Sequence, residues 1–546
     1  MKSKIVTLVG TCLVALGAMQ KGAAVEWQWS APIVSATSSE TNGHPRAFLW
    51  IPPNCNQVRG VVVGQHNLEE EQIFEHPTFR KTLAKLDFAV VWVSPPLDLS
   101  FRFDMGSGDG FNEMLKALAA ESGYAELATA PVVPIGHSAA GSYPWNFAAW
   151  APERTLAVMS VSGQWPYWVD KNTPDWAGRT ADGVPGLVAV GEYEGAENRA
   201  GIGLLERTVH PKTALSMLAE PGDGHFDASN EKVEYLAFYL EKAVQYRLPS
   251  RPTIGTGPIK LKPIDPTTQG WLADRWHADK GPDAPAAPVA KYKGDPKSAF
   301  WFFDEEHARV TEKFEARYRG LKPQLTAFVQ DGKVVEINPK LHERVILHFQ
   351  PLQDGISFKL TGTFLDVAPE GTSVPVGTPV GHASGGGPVV ISRTCGPVIQ
   401  TGPDTWSIRF TRMGMDNLKR SNGIVFHASH PGDREYRRTV QQAALRFPVK
   451  NTVGADQKIT FPKIPDQRAG ASLIKLNAQS DSGETVYYYV REGPAELQGN
   501  TLKLTSIPPR AKFPVKITVV AWQWGRSIDP KLKTAEPVEQ TFSIFK

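Results

Sequence analysis

The chain has 546 residues, 41% hydrophobic and 21% charged, the balance of a folded protein rather than a disordered or membrane-spanning one. Its 59 Lys and Arg against 56 Asp and Glu leave a net charge of +3, so no basic stripe or acidic tail argues for nucleic acid or anionic lipid as a partner. At roughly 150 residues per domain, three or four folding units are expected.

At the N-terminus, Lys2 and Lys4 precede an apolar run from Ile5 to Ala18, and Gly22-Ala23-Ala24 offers small residues for cleavage. An export signal over residues 1–24 is expected, with the mature chain starting near Val25 in a secreted or periplasmic location. Gln20 and Lys21 end the run before the ~18 uninterrupted apolar residues that a spanning segment needs, so no integral membrane segment is expected after cleavage. Cys12 falls inside this stretch, leaving Cys55 and Cys395. These allow one disulfide if geometry brings them together, and they make no metal site.

From residue 45 to 247 short apolar strands alternate with amphipathic helices. The predicted strands are 47–51, 60–65, 88–94, 131–136, 156–162, 186–191 and 214–219. Phe111, Met114, Leu115 and Leu118 share a helical face over 111–122, as do Val233, Leu236, Ala237 and Leu240 over 230–246. The pattern predicts a doubly wound α/β domain over 25–250. In "DMGSGDGFN" no Lys follows the glycines, so a flexible loop is expected rather than a phosphate cradle.

Pro- and Gly-rich sequence then predicts a surface linker over 251–320, carrying one helix at 302–320. Alternating strand patterns with little helix predict a β-sandwich over 321–455, and the strand rhythm of 456–546 predicts an immunoglobulin-like unit.

One stretch carries chemistry. "PVVPIGHSAAGSYPW" runs a buried strand into Ser138, flanked by Gly136 and Ala140, and then into a helix. A sharp strand-to-helix turn exposes a serine hydroxyl only if the residues two before and two after it are small. The stretch "GHSAAG" resembles the nucleophile elbow of the α/β-hydrolase superfamily, with Ala140 in place of the last glycine and Gly141 one step later.

That resemblance implies a Ser, acid, His order along the chain. The strand ending at Gly191 is followed by Glu192 and Glu194, and the resemblance gives the acid role to Glu194 with Glu192 as its rival. His225, in "PGDGHFD" between the last strand and last helix, takes the histidine role. His137 is read as packing or hydrogen-bonding support. The oxyanion donors are expected to be the N–H of Ala139 and a second from the loop after 60–65, at His66 or Asn67.

Of the aromatics near the elbow, Tyr143, Trp145, Trp150 and Trp168 are read as packing, and Trp165 and Tyr167 as substrate-binding candidates. No metal or other cofactor is expected, because no H-E-x-x-H or paired Cys/His spacing is present. The expected activity is that of a secreted serine carboxylesterase acting through Ser138, His225 and Glu194 on an ester substrate, with an acylated polysaccharide or another extracellular polymer as the carrier. On that reading residues 25–250 alone hydrolyse a short ester. The alternative is a non-catalytic carbohydrate-binding or adhesion protein on the same scaffold, with Trp406, Trp522 and Trp524 stacking on sugars. The acyl group and the oligomeric state are left open.

Overall fold

The computed structural model describes residues 26–250, 257–470 and 473–546. The expected export signal, the start near Val25 and Cys12 lie outside the described residues.

The first unit is built on an eight-stranded sheet. Its strands are β1 (Trp29–Pro32), β2 (Arg46–Trp50), β3 (Gly60–Gln65), β4 (Phe88–Val93), β5 (Val132–His137), β6 (Val158–Val161), β7 (Pro185–Gly191) and β8 (Ala214–Glu220). The spatial order is β1-β2-β4-β3-β5-β6-β7-β8; β2 runs against both neighbours and every pair from β4 through β3 to β8 is parallel. Strands β3 to β8 are buried at every position, because helices cover both faces.

Alternation along each strand divides the core. Val61 and Val63 of β3 join Phe111, Met114 and Leu118 of α3 (Ser107–Ser122) and Tyr143 and Phe147 of α4 (Tyr143–Trp150). Val62 points the other way, into a core with α1 (Glu70–Glu75), α2 (Pro77–Leu86) and the Val233, Leu236 and Leu240 stripe of α6 (Asn230–Arg247). Between β7 and β8 runs α5 (Ala196–Val209). This is an α/β-hydrolase fold.

Two expectations fail here. The glycines read as a flexible loop belong to the first turns of α3, where a Cβ on Gly108 would lie 2.5 Å from the Trp150 ring. Within the stretch expected as a linker, the described residues 257–320 are more than that: β9 (Trp271–Asp274), β10 (Ala287–Pro288) and β11 (Ala299–Phe302) form a small antiparallel sheet followed by α7 (Glu305–Glu315). Trp301 and Phe303 are buried in the α6-side core, the Ser216 hydroxyl donates to the Trp301 carbonyl at 2.5 Å, and Lys242 of α6 pairs with Asp304 at 2.7 Å. The segment completes the hydrolase unit.

The chain then forms a β-sandwich. A four-stranded sheet (346–348, 439–446, 423–430, 390–395) and a three-stranded sheet (357–359, 405–408, 398–400) enclose Phe358, Trp406, Ile424, Phe426 and Leu445. The last unit repeats this with four strands (467–468, 538–545, 515–522, 487–492) and three (473–475, 501–504, 495–498) around Leu502, Ile517, Val519 and Phe542. Trp406, Trp522 and Trp524 are core residues, so the sugar-stacking role expected of them fails. Cys55 and Cys395 are buried and unpaired, and burial pushes both thiols up to about 12. Among the described residues no helix is long and apolar enough to cross a membrane.

Candidate active site

Strand β5 ends at His137, and the chain turns at Ser138 into a short 3-10 turn, Ser138–Ala140, that leads to α4. Ser138 takes φ 54°, a left-handed conformation costly for a residue with a side chain. The small residues around it are required by contact. A Cβ on Gly136 would lie 2.0 Å from the Ala140 carbonyl oxygen, and one on Gly141 would lie 2.3 Å from the Gly163 Cα. The turn thus needs glycine at 136 and 141, while Ala140 fits, fully buried.

The three residues far apart in sequence converge. His225 Nε2 lies 2.7 Å from Ser138 Oγ, and His225 Nδ1 is hydrogen-bonded to Glu194 Oε1. Glu194 is the residue that reaches the imidazole. Glu192 turns instead to the Gly222 N–H, at 2.8 Å, and to Arg437 of the β-sandwich. Burial alone would raise the Glu194 carboxyl, but the hydrogen bond and charge of His225, with Arg199 at 3.5 Å, hold it down to about 2. A carboxylate fixed in its ionised form beside Nδ1 directs the free lone pair of Nε2 toward the serine hydroxyl.

His137 does what was expected of it. Its Nε2–H donates to the His225 carbonyl at 2.9 Å, which fixes the tautomer, and burial with the neighbouring His225 holds its pKa well below the usual imidazole range. Beneath the elbow, buried Glu70 was not anticipated. Its carboxylate accepts the N–H groups of His137 (2.8 Å), Asn67 (3.1 Å) and Leu68 (2.9 Å), tying the Ser138 turn to the loop after β3.

Those bonds remove the expected second oxyanion donors. The His66 N–H donates to the Val93 carbonyl at 2.8 Å and its buried ring contacts Ser94 and Met413. The Asn67 N–H is taken by Glu70 and its side-chain amide donates to the His137 carbonyl at 2.8 Å. Ala139 is exposed at the start of the turn, next after the serine.

The substrate-binding expectations also fail. Trp165 is 2% exposed and stacks on Phe300 at 5.8 Å between ring centres. Tyr167 is sandwiched with His210 (3.5 Å) and Trp176 (4.5 Å). The wall of the site comes from the β-sandwich instead. His342 packs edge-to-face on His225 at 4.4 Å. A separate cavity of about 200 Å3 beside Phe226 is lined by Asn67 and Leu68 on one side and by Cys395, Met413 and Val425 on the other, with neither Ser138 nor His225 in its lining. Nothing local in the sequence points to His342, which lies in a loop more than a hundred residues from its neighbour.

One trio of metal-capable side chains, Asp274, His277 and Asp283, lies on the β9 side of the unit. Its members are already engaged, His277 with Glu197 and Asp283 with Lys280.

No protein-family model and no curated protein matches the chain. Among solved structures it is similar to a poly(3-hydroxybutyrate) depolymerase from Bordetella parapertussis, at 12% identity over 41% of this chain and 89% of that one, with a TM-score of 0.27. A poly(aspartic acid) hydrolase-1 from Sphingomonas sp. KT-1 aligns at 13% identity over 40% and 99%, TM-score 0.29. An S-formylglutathione hydrolase from Agrobacterium tumefaciens aligns at 15% identity over 40% and 94%, TM-score 0.28. At these values the likenesses add nothing to the strand order and site geometry given above.

Proposed function

We propose that the protein is a serine carboxylesterase. The observation that carries this reading is the chain of contacts from Glu194 through His225 to Ser138, with the serine held at positive φ on a strand-to-helix turn. Ser138 Oγ attacks the ester carbonyl while His225 Nε2 takes its proton, and the ionised Glu194 stabilises the imidazolium. The Ala139 N–H stabilises the tetrahedral oxyanion. The imidazolium then protonates the leaving alkoxide. Water, deprotonated by His225, attacks the acyl-serine and releases the acid and the free serine.

The finer reading is an exported enzyme whose ester is borne by an acylated polysaccharide or another extracellular polymer. It is supported by the Lys-flanked apolar run of residues 2–18 and by the β units that follow the hydrolase fold. The ester is proposed to sit over the exposed turn at Ala139, beside Ser138 and His225, where His342 packs on the imidazole.

The test is reaction of the full chain with an organophosphonate, followed by peptide mass spectrometry. An adduct on Ser138, absent from His225→Ala, is expected. Unhindered turnover of a p-nitrophenyl ester by Ser138→Ala would remove the reading.

A further inference from the structure

The loop that carries His225, residues 221–229, is held from outside its own unit. It follows β8 and ends at Ser229, the N-cap of α6, and its glycines leave it little stiffness of its own. Three consecutive elements of support come from one stretch of the β-sandwich, Arg437 to Gln442.

Arg437 pairs with Glu192, whose carboxylate accepts the Gly222 N–H at 2.8 Å, at the entrance of the loop. Arg438 lies 2.8 Å from Asp223 Oδ1 and 3.4 Å from Asp227 Oδ1, so one guanidinium bridges the residues on either side of His225. Both carboxylates are 2% exposed. Gln442 Nε2 donates to the Phe226 carbonyl at 3.2 Å, one residue beyond His225. The approach is close enough to dictate sequence: a Cβ on Gly222 would lie 3.0 Å from the Arg438 carbonyl, and one on Gly224 would lie 2.4 Å from Gln442 Nε2. Four buried carboxylates in the floor, Glu69, Glu220, Asp223 and Asp227, face two cations, Lys232 and Arg438, so loss of Arg438 leaves the floor with one cation fewer. Lys232, fully buried, already faces Glu220 (3.2 Å) and Glu69 (3.7 Å), leaving Asp223 and Asp227 to the arginine.

We propose that Arg438 and Gln442 are positioning residues of the active site, and that the β-sandwich acts as a clamp setting the height of His225 over Ser138. The proposal rests on the esterase reading. A bridge across a five-residue span fixes the imidazole more narrowly than the loop's own bonds do, and a displacement near 1 Å in such a group costs on the order of a hundred-fold in rate. Both side chains are turned to the loop, on Asp223, Asp227 and the Phe226 carbonyl, so the expected effect is on kcat rather than on KM.

The experiment measures p-nitrophenyl acetate turnover and organophosphonate labelling of full-length wild type, Ser138→Ala, Arg438→Ala, Arg438→Lys and Gln442→Ala, with near-ultraviolet circular dichroism as a check on fold. Arg438→Ala should lose kcat on the order of ten- to a hundred-fold with KM unchanged. Arg438→Lys should recover part of it, and Gln442→Ala should lose several-fold. Where Arg438→Ala does not fold, Gln442→Ala decides. Unchanged kcat in the folded variants, beside an active wild type and a dead Ser138→Ala, overturns the clamp and leaves the esterase standing. A wild type that neither turns over nor labels overturns both.

Discussion

The Nε2–H of His137 donates to the main-chain carbonyl of His225 at 2.9 Å, so the imidazole preceding Ser138 holds the backbone of the imidazole that faces that serine. Two strand ends are thereby locked through one buried ring. Replacing it with an apolar side chain leaves the His225 carbonyl without that partner, a loss that costs about 1–3 kcal/mol for a buried group. His137→Leu should therefore unfold at lower urea and turn over more slowly, by about ten-fold, with substrate affinity little changed. Equal kcat in His137→Leu and wild type would remove its supporting role.

Ser138 at φ 54° stores strain that glycine does not feel. Ser138→Gly and Ser138→Ala both lose the hydroxyl and should both be inactive, but they should differ in stability. The glycine variant is expected to be more stable than the alanine variant by up to about 1 kcal/mol, read as a higher denaturant midpoint. Identical midpoints would mean that the turn is relaxed in solution.

Acid should act in two windows. Burial holds His137 well below the ordinary imidazole value and pushes His66 and His307 down to about 3 and His427 to about 4. A base depressed in the folded state is protonated first in the unfolded chain, so the contribution of these imidazoles to stability falls as pH drops below about 6.5. Glu194, held down to about 2, is an acid depressed in the folded state. Its contribution is present above the unfolded carboxyl value near 4.5 and is lost as pH falls toward 2. Glu220, pushed up to about 7 by burial, and Glu315, pushed up to about 8, act with the opposite sign over the same range, so the test compares variants: the urea midpoint of His307→Gln should fall less from pH 7 to pH 5 than that of the wild type, and the midpoint of Glu194→Gln should fall less below pH 4.5. The same change from pH 7 to pH 5 in His307→Gln and wild type would contradict the depressed state of that imidazole.

Much of the hydrolase unit was legible because strands buried on both faces are continuous apolar runs, such as Val61-Val62-Val63 and Val188-Ala189-Val190. β1, four residues ending at Pro32 on the sheet edge, has no such run and was missed. β11 was hidden because Ala299–Phe302 sits in Pro- and Gly-rich sequence. Ser138 stands out as a serine between small residues at the end of an apolar run, while Glu194 and His225 are singled out through the chain order that the resemblance implies. The resemblance puts Glu194 ahead of Glu192; in the structure Glu194 reaches His225, and Arg437, more than two hundred residues away, occupies the rival carboxylate. His342, Arg438 and Gln442 meet the site only through tertiary packing, and the Trp165 pocket role failed because position at a strand end says nothing of what packs on top.

The same packing reverses the expectation that residues 25–250 work alone. Ending the chain at 250 strips β11 from the α6-side core and removes Trp301 and Phe303 from it. It also takes Arg438 from Asp223 and Asp227, Arg437 from Glu192, and Arg412 from Glu71 and Glu75. Removing one partner of a buried ion pair costs about 3–5 kcal/mol, and two or three such losses match the ~5–15 kcal/mol that holds a domain folded. The fragment 26–250 should therefore aggregate or bind a hydrophobic dye and fail to hydrolyse a short ester, and extending it to 320 should restore the apolar core while leaving the ionic partners missing. Full activity from 26–250 would mean that the carboxylates around the His225 loop find water in place of the β-sandwich, and that the clamp from Arg438 is dispensable.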